Sequence, residues 1–146
     1  MRLLIANRSE IAVRIAQTAQ RMGMETLGVC ASDEGVAHHG PYMDRVAELP
    51  GSGPTAYLDI KALIQIAQQE GATLIHPGYG FLSEHPDAAR LAVDAGLKWV
   101  GPDPKVIALM GQKPAAIALA KELGIPTVPG LFDTSDRQLL EALLRR

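Results

Sequence analysis

Residues 72–84, ATLIHPGYGFLSE, and the helix pattern that follows them decide the fold class of this chain. Residues 72–75 form a short apolar run, which predicts a buried strand ending at His76. Residues 86–95, PDAARLAVDA, have the spacing of an amphipathic helix. The loop between them carries two ring side chains, a hydroxyl and a carboxylate beside its glycines. Because open α/β sheets bind ligands in loops at the carboxyl ends of strands, this segment predicts both the fold and a site.

Strand-like and helix-like patterns alternate along the rest of the chain. Apolar runs predict strands at residues 3–6, 26–30 and 98–100 and a short edge strand at 45–49, and periodic segments predict helices at 10–22, 60–69, 104–110, 114–123 and 136–144. The first helix is expected to place Ile11, Ile15, Ala19 and Met22 on one apolar face. Parallel strands joined through helices need crossover connections, which are right-handed. The sequence therefore predicts an α/β, Rossmann-like, mostly parallel sheet with helices on both faces.

The composition is that of an ordinary soluble globular protein, with 47% hydrophobic and 21% charged residues. A formal net charge of -2 and only 4% aromatic residues give no basis for nucleic-acid binding. The sequence contains no apolar run of about 18 residues, the length that a membrane-spanning helix needs. No secretory signal pattern follows Met1. We therefore expect a cytoplasmic protein with neither a nucleic-acid nor a membrane partner.

The single cysteine, Cys30, ends an apolar run and is expected to be a buried strand thiol instead of a nucleophile. His38 and His39 follow in a loop rich in glycine and proline, where we expect exposed side chains. The spacing of these histidines relative to the nearby acidic residues matches no compact zinc pattern, so no metal site is expected. Those acidic residues are Asp33, Glu34 and Asp44.

The first β–α turn, residues 7–10, has the sequence NRSE and contains no glycine. A dinucleotide-binding turn needs the pattern G-x-G-x-x-G, which lets the backbone approach a pyrophosphate. This turn is therefore not expected to bind NAD. Asn7 and Glu10 have the spacing of a capping box, which favours a structural role for both at the start of the first helix.

Three motifs occur in order along the chain: IANRSEIA at residues 5–12, HPGYGFLSE at 76–84 and LMGQK at 109–113. Together they resemble the amino-terminal domain of biotin carboxylases, the ATP-dependent components of acetyl-, propionyl- and pyruvate-type carboxylases. The likeness extends over nearly the whole chain. It implies that residues 1–125 form the Rossmann-like domain and that residues 126–146 begin the linker toward a missing ATP-grasp domain.

The resemblance also implies roles for residues near the middle of the chain. Tyr79, Gly80 and Glu84 belong to a loop that would face the cleft where biotin is carboxylated. His76 is better explained as a hydrogen-bonded histidine at the end of a strand. Most relatives have glycine where this chain has Ser9, so the first turn carries an additional Cβ here.

Two further residues gain a role from the resemblance. The resemblance implies that Lys113 contacts nucleotide phosphate at the edge of the ATP site. From the residues alone, Pro114 is expected to open the next helix, which would let the Lys113 ammonium project past its start. Arg14 would lie in a homodimer interface, although Gln17 and Arg21 differ from the residues that some relatives have at other interface positions. No catalytic residue is assigned within this chain.

For the complete enzyme the resemblance implies ATP, Mg²⁺ and biotin on a carrier protein, none of them bound tightly by this fragment. The expected partners are the ATP-grasp remainder of the enzyme, a biotin carboxyl carrier protein or domain, and a second copy of the chain. The chain alone is expected to be inactive. Two alternatives remain open: a free-standing small-ligand-binding or interaction module on the same fold, and the leading domain of another ATP-grasp ligase.

Overall fold

Strands and helices alternate in the computed structural model, which describes residues 1–36, 38–128 and 141. The strands are β1 (Arg2–Ile5), β2 (Glu25–Ala31), β3 (Arg45–Leu49), β4 (Leu74–His76) and β5 (Lys98–Trp99). The α-helices are α1 (Ser9–Arg21), α2 (Ile60–Gln69), α3 (Pro86–Asp94), α4 (Pro104–Met110) and α5 (Lys113–Glu122). Short 3₁₀ turns lie at Gly40–Tyr42, Pro54–Leu58 and Phe81–Glu84.

The strands form one parallel sheet in the order β3-β2-β1-β4-β5. β1 is central, because Leu3 pairs with Thr26 of β2 on one side and with Leu74 of β4 on the other. The chain builds from β1 out to β3, which is an edge strand as predicted, and then crosses back to β4. The carboxyl ends of β1 and β4 thus form the topological switch point, where an open α/β sheet leaves a crevice for a ligand.

Helices cover both faces of the sheet, as predicted. On one face, Ala12, Ala16 and Ala19 of α1 pack against Leu3 and Ile5 of β1. The opposite face is covered by α2 and α3, and its buried residues include Leu4, Leu27, Leu63, Ile75, Ala89 and Ala92. Successive residues of β1 therefore point to opposite core clusters, as the pleat of a strand requires.

The boundaries of the elements follow the sequence pattern closely. Asp59 caps α2, because its Oδ1 atom accepts hydrogen bonds from the backbone N–H groups of Lys61 and Ala62, each at 3.1 Å. Gly23 follows α1 in the left-handed region, at φ +74. The apolar face predicted for α1 is wrong at Met22, which is 66% exposed because it lies just beyond the last helical residue.

Residues Met1–Ile107 form one compact unit, and the described residues from Ala108 onwards belong to a second. The first unit contains the whole sheet. The domain boundary expected between residues 125 and 126 stays a prediction. Within the described part of the chain, no helix is long and apolar enough to cross a membrane.

The carboxyl-terminal helices agree with the sequence pattern in part. α5 begins at Lys113, one residue before the start predicted at Pro114, because Gln112 has the extended conformation of an N-cap. Lys113 is therefore the first helical residue instead of the residue before the helix. The helix predicted at residues 136–144 lies, apart from Glu141, outside the described residues.

Candidate functional site

Asn7 lies just after β1, and its side chain is fully buried at the switch point. Its Nδ2 group donates hydrogen bonds to two carbonyl oxygens of the HPGYG loop (residues 76–80), that of Pro77 at 2.8 Å and that of Tyr79 at 3.1 Å. Its Oδ1 atom accepts a hydrogen bond from the backbone N–H of Arg8 at 2.9 Å. Asn7 thus joins the first β–α turn to a loop 70 residues later.

The capping-box prediction for Asn7 and Glu10 is wrong. Arg8 is the N-cap of α1, no side chain caps the helix, and Glu10 is exposed. Asn7 turns instead to the carbonyls of the HPGYG loop, because a buried carbonyl needs a hydrogen-bond donor. The signal that could have revealed this role is a carboxamide directly after a buried strand, at the carboxyl edge of a parallel sheet.

Position 78 requires glycine, both because of its backbone conformation and because of the atoms around it. Its φ is +71, and a Cβ at this position would lie 2.5 Å from Nδ2 of Asn7 and 2.9 Å from Cγ2 of Ile11. His76 Nδ1 accepts a hydrogen bond from the N–H of Gly78 at 2.9 Å, and burial lowers the pKa of His76. These contacts explain why a glycine is needed at position 78, and they confirm the hydrogen-bonded histidine predicted at the strand end.

The second half of the motif folds back on itself after Gly80. Gly80 has a φ of +64, and Ser83 Oγ donates a hydrogen bond to its carbonyl oxygen at 2.7 Å. Leu82 is buried, and Phe81 packs against the same core cluster. These two side chains anchor the loop to the core, whereas the Tyr79 side chain is exposed.

A groove on the α1 face, here called the α1 groove, begins beside the HPGYG loop. It encloses about 520 Å³, and its apolar lining includes Leu3, Ile11, Ile15, Leu74 and Val100. Tyr79 is 61% exposed and lines this groove together with His76. Tyr79 thus lies at a concave surface, which is the placement that a cleft-facing residue needs.

The structure does not bring all the predicted site residues together. Arg14 is exposed and lines the α1 groove with Tyr79. Glu84 is also exposed, at the end of the 3₁₀ turn after the loop, and it is not among the groove residues. Lys113 is exposed and belongs to the second unit. The roles given to these residues stay predictions.

A second group of side chains, here called the Arg8 cluster, consists of Arg8, Glu34, Tyr57 and Phe81. Arg8 forms an ion pair with Glu34, and its guanidinium lies 6.0 Å from the ring centroid of Tyr57 and 5.8 Å from that of Phe81. The Tyr57 hydroxyl donates a hydrogen bond to Glu34 Oε2 at 2.6 Å. No local pattern in the sequence indicates this cluster, since its members are far apart along the chain.

The charges of the Arg8 cluster are stabilised by one another. Burial alone would raise the pKa of the Glu34 carboxyl, but hydrogen bonds from Tyr57 and Arg8 outweigh it and hold that pKa below its ordinary value. Burial, and then the hydrogen bond to Glu34, raises the pKa of the Tyr57 hydroxyl. Glu34 is therefore a carboxylate and Tyr57 a neutral donor at neutral pH. The cluster supports Phe81, the residue that follows the HPGYG loop.

The exposed position predicted for His39 is wrong, because this side chain is buried beside the first turn. Its Nε2 lies 2.8 Å from the carbonyl oxygen of Val29, and its Nδ1 accepts from the N–H of Ser9 at 3.3 Å. Since a carbonyl only accepts, the proton is on Nε2. That nitrogen lies 3.6 Å from Cys30 Sγ and cannot take the proton of the thiol.

Cys30 is a buried strand thiol, as predicted. Burial, followed by the charges of Glu34 and Glu48, raises its pKa, which is the opposite of what a nucleophile needs. His38 is exposed. Among the residues that the structure describes, no group of three or more His, Cys, Asp or Glu side chains is arranged to hold a metal ion.

Ser9 occupies a position that suits glycine. Its φ is +51, and a left-handed conformation costs a residue with a Cβ about 1–2 kcal/mol. Ser9→Gly is therefore expected to raise the free energy of unfolding by about 0.5–1 kcal/mol, after the greater entropy of an unfolded glycine is subtracted. Urea denaturation followed by the fluorescence of Trp99, the one tryptophan of the chain, measures it. Ser9→Ala keeps the Cβ and should give no gain; equal stability of both variants would contradict the explanation.

The first 107 residues match the family described as the N-terminal domain of biotin carboxylase. The chain belongs to this family. A biotin carboxylase of Halalkalibacterium halodurans is 41% identical over 131 residues, which cover 88% of this chain and 29% of that protein. A pyruvate carboxylase of Schizosaccharomyces pombe is 41% identical over 133 residues, which cover 88% of this chain and 11% of that protein.

Solved biotin carboxylase domains have the same fold. The biotin carboxylase domain of a single-chain bacterial carboxylase superposes with a TM-score of 0.92 at 43% identity. The match covers 99% of this chain and 34% of that one. A second solved structure is the biotin carboxylase domain dimer of the Hydrogenobacter thermophilus 2-oxoglutarate carboxylase, in complex with MgADP and bicarbonate. It superposes with a TM-score of 0.88 at 35% identity, and the match covers 99% of this chain and 32% of that one. The predicted family and fold class are confirmed, and this biotin carboxylase N-terminal domain spans about a third or less of these proteins.

Proposed function

We propose that this biotin carboxylase N-terminal domain takes part in the ATP- and bicarbonate-dependent carboxylation of carrier-bound biotin. The observation that carries the proposal is the family match over residues 1–107, which includes the whole HPGYG loop. In this reaction ATP converts bicarbonate into carboxyphosphate and leaves as ADP. The carboxyl group then passes to a ureido nitrogen of biotin, and phosphate is released.

The HPGYG loop and the turn after it would form one wall of the cleft for biotin. Tyr79 and Glu84 are exposed. A Cβ added at Gly80 would have no atom within 4 Å, so the space beside this residue is open. The loop lies after strand β4, at the switch point of the sheet. These features support a role in shaping the cleft instead of a role in the chemical step.

Lys113 would supply positive charge to a phosphate of the nucleotide. Its ammonium is a compact, mobile point charge, and enzymes that transfer phosphoryl groups act mainly by positioning and charge neutralisation. Its exposed position at the start of α5 is compatible with this role. Mg²⁺ and most of the groups that hold ATP would belong to the ATP-grasp remainder of the enzyme.

The expected partners are that remainder, a biotin carboxyl carrier protein or domain, and a second copy of the enzyme. Arg14, exposed on α1, would lie in the homodimer interface. The solved biotin carboxylase domain of the 2-oxoglutarate carboxylase is a dimer, which supports a second copy of the enzyme as a partner. No observation favours a free-standing binding module or another ATP-grasp ligase.

The test uses the complete enzyme that contains this domain. Tyr79→Phe or Glu84→Gln is expected to slow biotin-dependent ATP hydrolysis about tenfold, a loss of about 1.4 kcal/mol of transition-state stabilisation. Lys113→Ala is expected to raise the KM for ATP. Steady-state kinetics with varied biotin and varied ATP separate the two effects.

The matched controls change exposed residues of the same type elsewhere. Tyr42→Phe controls for the loss of a hydroxyl, and Lys105→Ala controls for the loss of an exposed lysine charge. Both should retain wild-type kinetics. Wild-type kinetics in the Tyr79 and Glu84 variants would remove the loop from the biotin site, and an unchanged KM for ATP would remove Lys113 from the nucleotide site.

A further inference from the structure

We propose that Asn7 is a positioning residue that holds Tyr79 in its outward orientation at the biotin cleft; this inference rests on the proposed function. Asn7 is the one residue of the first turn whose side chain is buried at the switch point and bonded to the HPGYG loop, among the described residues. In dinucleotide-binding sheets the first turn approaches a pyrophosphate, whereas the carboxamide of this turn is bonded to a neighbouring loop.

A carboxamide suits this position because it carries two hydrogen-bond donors and an acceptor on one short side chain. A single –NH₂ group has two donors, and both are used, one for the carbonyl oxygen of Pro77 and one for that of Tyr79. The oxygen accepts from Arg8 N–H. An aspartate has the same shape but, when ionised, would place an anionic acceptor against two carbonyl oxygens. A leucine would leave both carbonyls without a donor.

The hydrogen bonds of Asn7 control the backbone on which the Tyr79 side chain stands. The two accepting carbonyls flank Gly78, whose positive φ sets the direction of the chain as it enters Tyr79. Tyr79 itself is 61% exposed, so packing does little to fix its ring. The orientation of the phenol therefore depends on the backbone that Asn7 holds.

The remainder of the motif has its own supports. Leu82 is buried in the core, and Ser83 is bonded to the carbonyl of Gly80. The loss of Asn7 should therefore disturb Tyr79 much more than the 3₁₀ turn or the sheet. This separation allows a positioning role to be distinguished from general stability.

The direct test labels the 146-residue chain with 3-fluorotyrosine. The three tyrosines, Tyr42, Tyr57 and Tyr79, give three ¹⁹F signals, and Tyr79→Phe identifies the one from position 79. In Asn7→Asp at neutral pH, the Tyr79 signal is expected to shift or broaden while the other two keep their positions. Unchanged signals would overturn the proposal.

A change of pH gives a readout that a general loss of stability would not produce. The carboxyl introduced at position 7 is buried against carbonyl oxygens, so its pKa is raised, and its protonated form can donate one hydrogen bond. As the pH falls, the Tyr79 signal of Asn7→Asp should return toward the wild-type position. The charged or titratable groups of the adjoining turn, cluster and loop are Arg8, Glu10, Glu34, Tyr57, His76 and Tyr79, and His39 lies beside the turn. The wild-type chain at each pH is the reference for all of them.

In the complete enzyme, Asn7→Asp is expected to lower kcat for biotin-dependent ATP hydrolysis by about 10- to 100-fold, because a small displacement of a positioned group is costly. The KM for ATP should stay unchanged, and kcat should recover relative to wild type as the pH falls. A wild-type kcat in Asn7→Asp, beside a reduced kcat in Tyr79→Phe, would overturn the inference.

A second variant covers the case in which Asn7→Asp fails to fold. Asn7→Ser is neutral and too short to reach both carbonyls, so it should move the Tyr79 signal and lower kcat without the recovery at low pH. If Tyr79→Phe itself has wild-type kinetics, the proposed role of Tyr79 fails and the catalytic part of this inference fails with it. The ¹⁹F signals would still decide whether Asn7 holds the loop.

Discussion

Gly78→Ala is expected to lower the free energy of unfolding by about 3 kcal/mol. The substitution adds a Cβ at a φ of +71, which costs about 1–2 kcal/mol. The new atom would also lie 2.5 Å from Asn7 Nδ2 and 2.9 Å from Ile11 Cγ2, and relieving such overpacking costs typically about 1–3 kcal/mol. The lower conformational entropy of alanine in the unfolded chain offsets only about 0.4–1 kcal/mol of this loss.

Gly80→Ala is the matched control for this prediction. Gly80 has nearly the same φ, +64, but no atom lies within 4 Å of an added Cβ. Only the cost of the conformation remains, so the loss should be about 1 kcal/mol. Urea denaturation followed by Trp99 fluorescence compares the two. Equal losses would show that the approach of the loop to Asn7 is unimportant for stability.

Glu34→Gln is expected to destabilise the domain by about 2 kcal/mol at neutral pH. Glu34 accepts a hydrogen bond from Tyr57 and pairs with Arg8, and its side chain is only 18% exposed. Hydrogen bonds to a charged group contribute about 1.5–3 kcal/mol each. The loss is smaller for Arg8, because its side chain is 34% exposed and can form hydrogen bonds with water instead. The neutral amide keeps the shape of the carboxylate and removes its charge.

The same substitution should change how stability depends on pH. The pKa of Glu34 is below its ordinary value of 4.5 in the folded chain, so the carboxylate stabilises the fold above that value. This contribution is lost as the pH falls through the lower, folded-state pKa. The difference in unfolding free energy between wild type and Glu34→Gln should therefore shrink in acid. Glu48→Gln, at an exposed position of β3, should show little difference at any pH; a Glu34 difference that stays constant down to about pH 3 would contradict the assignment.

The sheet and most of its helices could be predicted from the sequence because their signals are local. Apolar runs and helical periods involve neighbouring residues only, and the strands and helices lie close to where they predicted them. Asp59 and Gly23, which mark the start of α2 and the end of α1, are local signals of the same kind. The HPGYGFLSE motif also indicated a functional loop, since a turn that only reverses the chain does not require ring and charged side chains.

The contacts that hold the candidate site could not be predicted in the same way. Asn7 bonds to a loop 70 residues away, and Arg8 pairs with a residue 26 positions later. No periodicity records such pairs, because they form only when parallel strands bring two turns to one edge. The capping-box spacing of Asn7 and Glu10 suggested a local role for Asn7 at the start of α1, and this prediction was wrong. His39 was misjudged for a related reason, since its side chain contacts the first turn and β2 across the chain.

The bond between Asn7 and the loop after β4 has a consequence for the order of folding. The two partners meet only after β1 and β4 have paired, and a contact so distant along the chain closes a large loop at an entropic cost. Both of these strands must therefore be synthesised before Tyr79 can take its final orientation. The surface proposed to recognise biotin can therefore be complete only once β1 and β4 have paired.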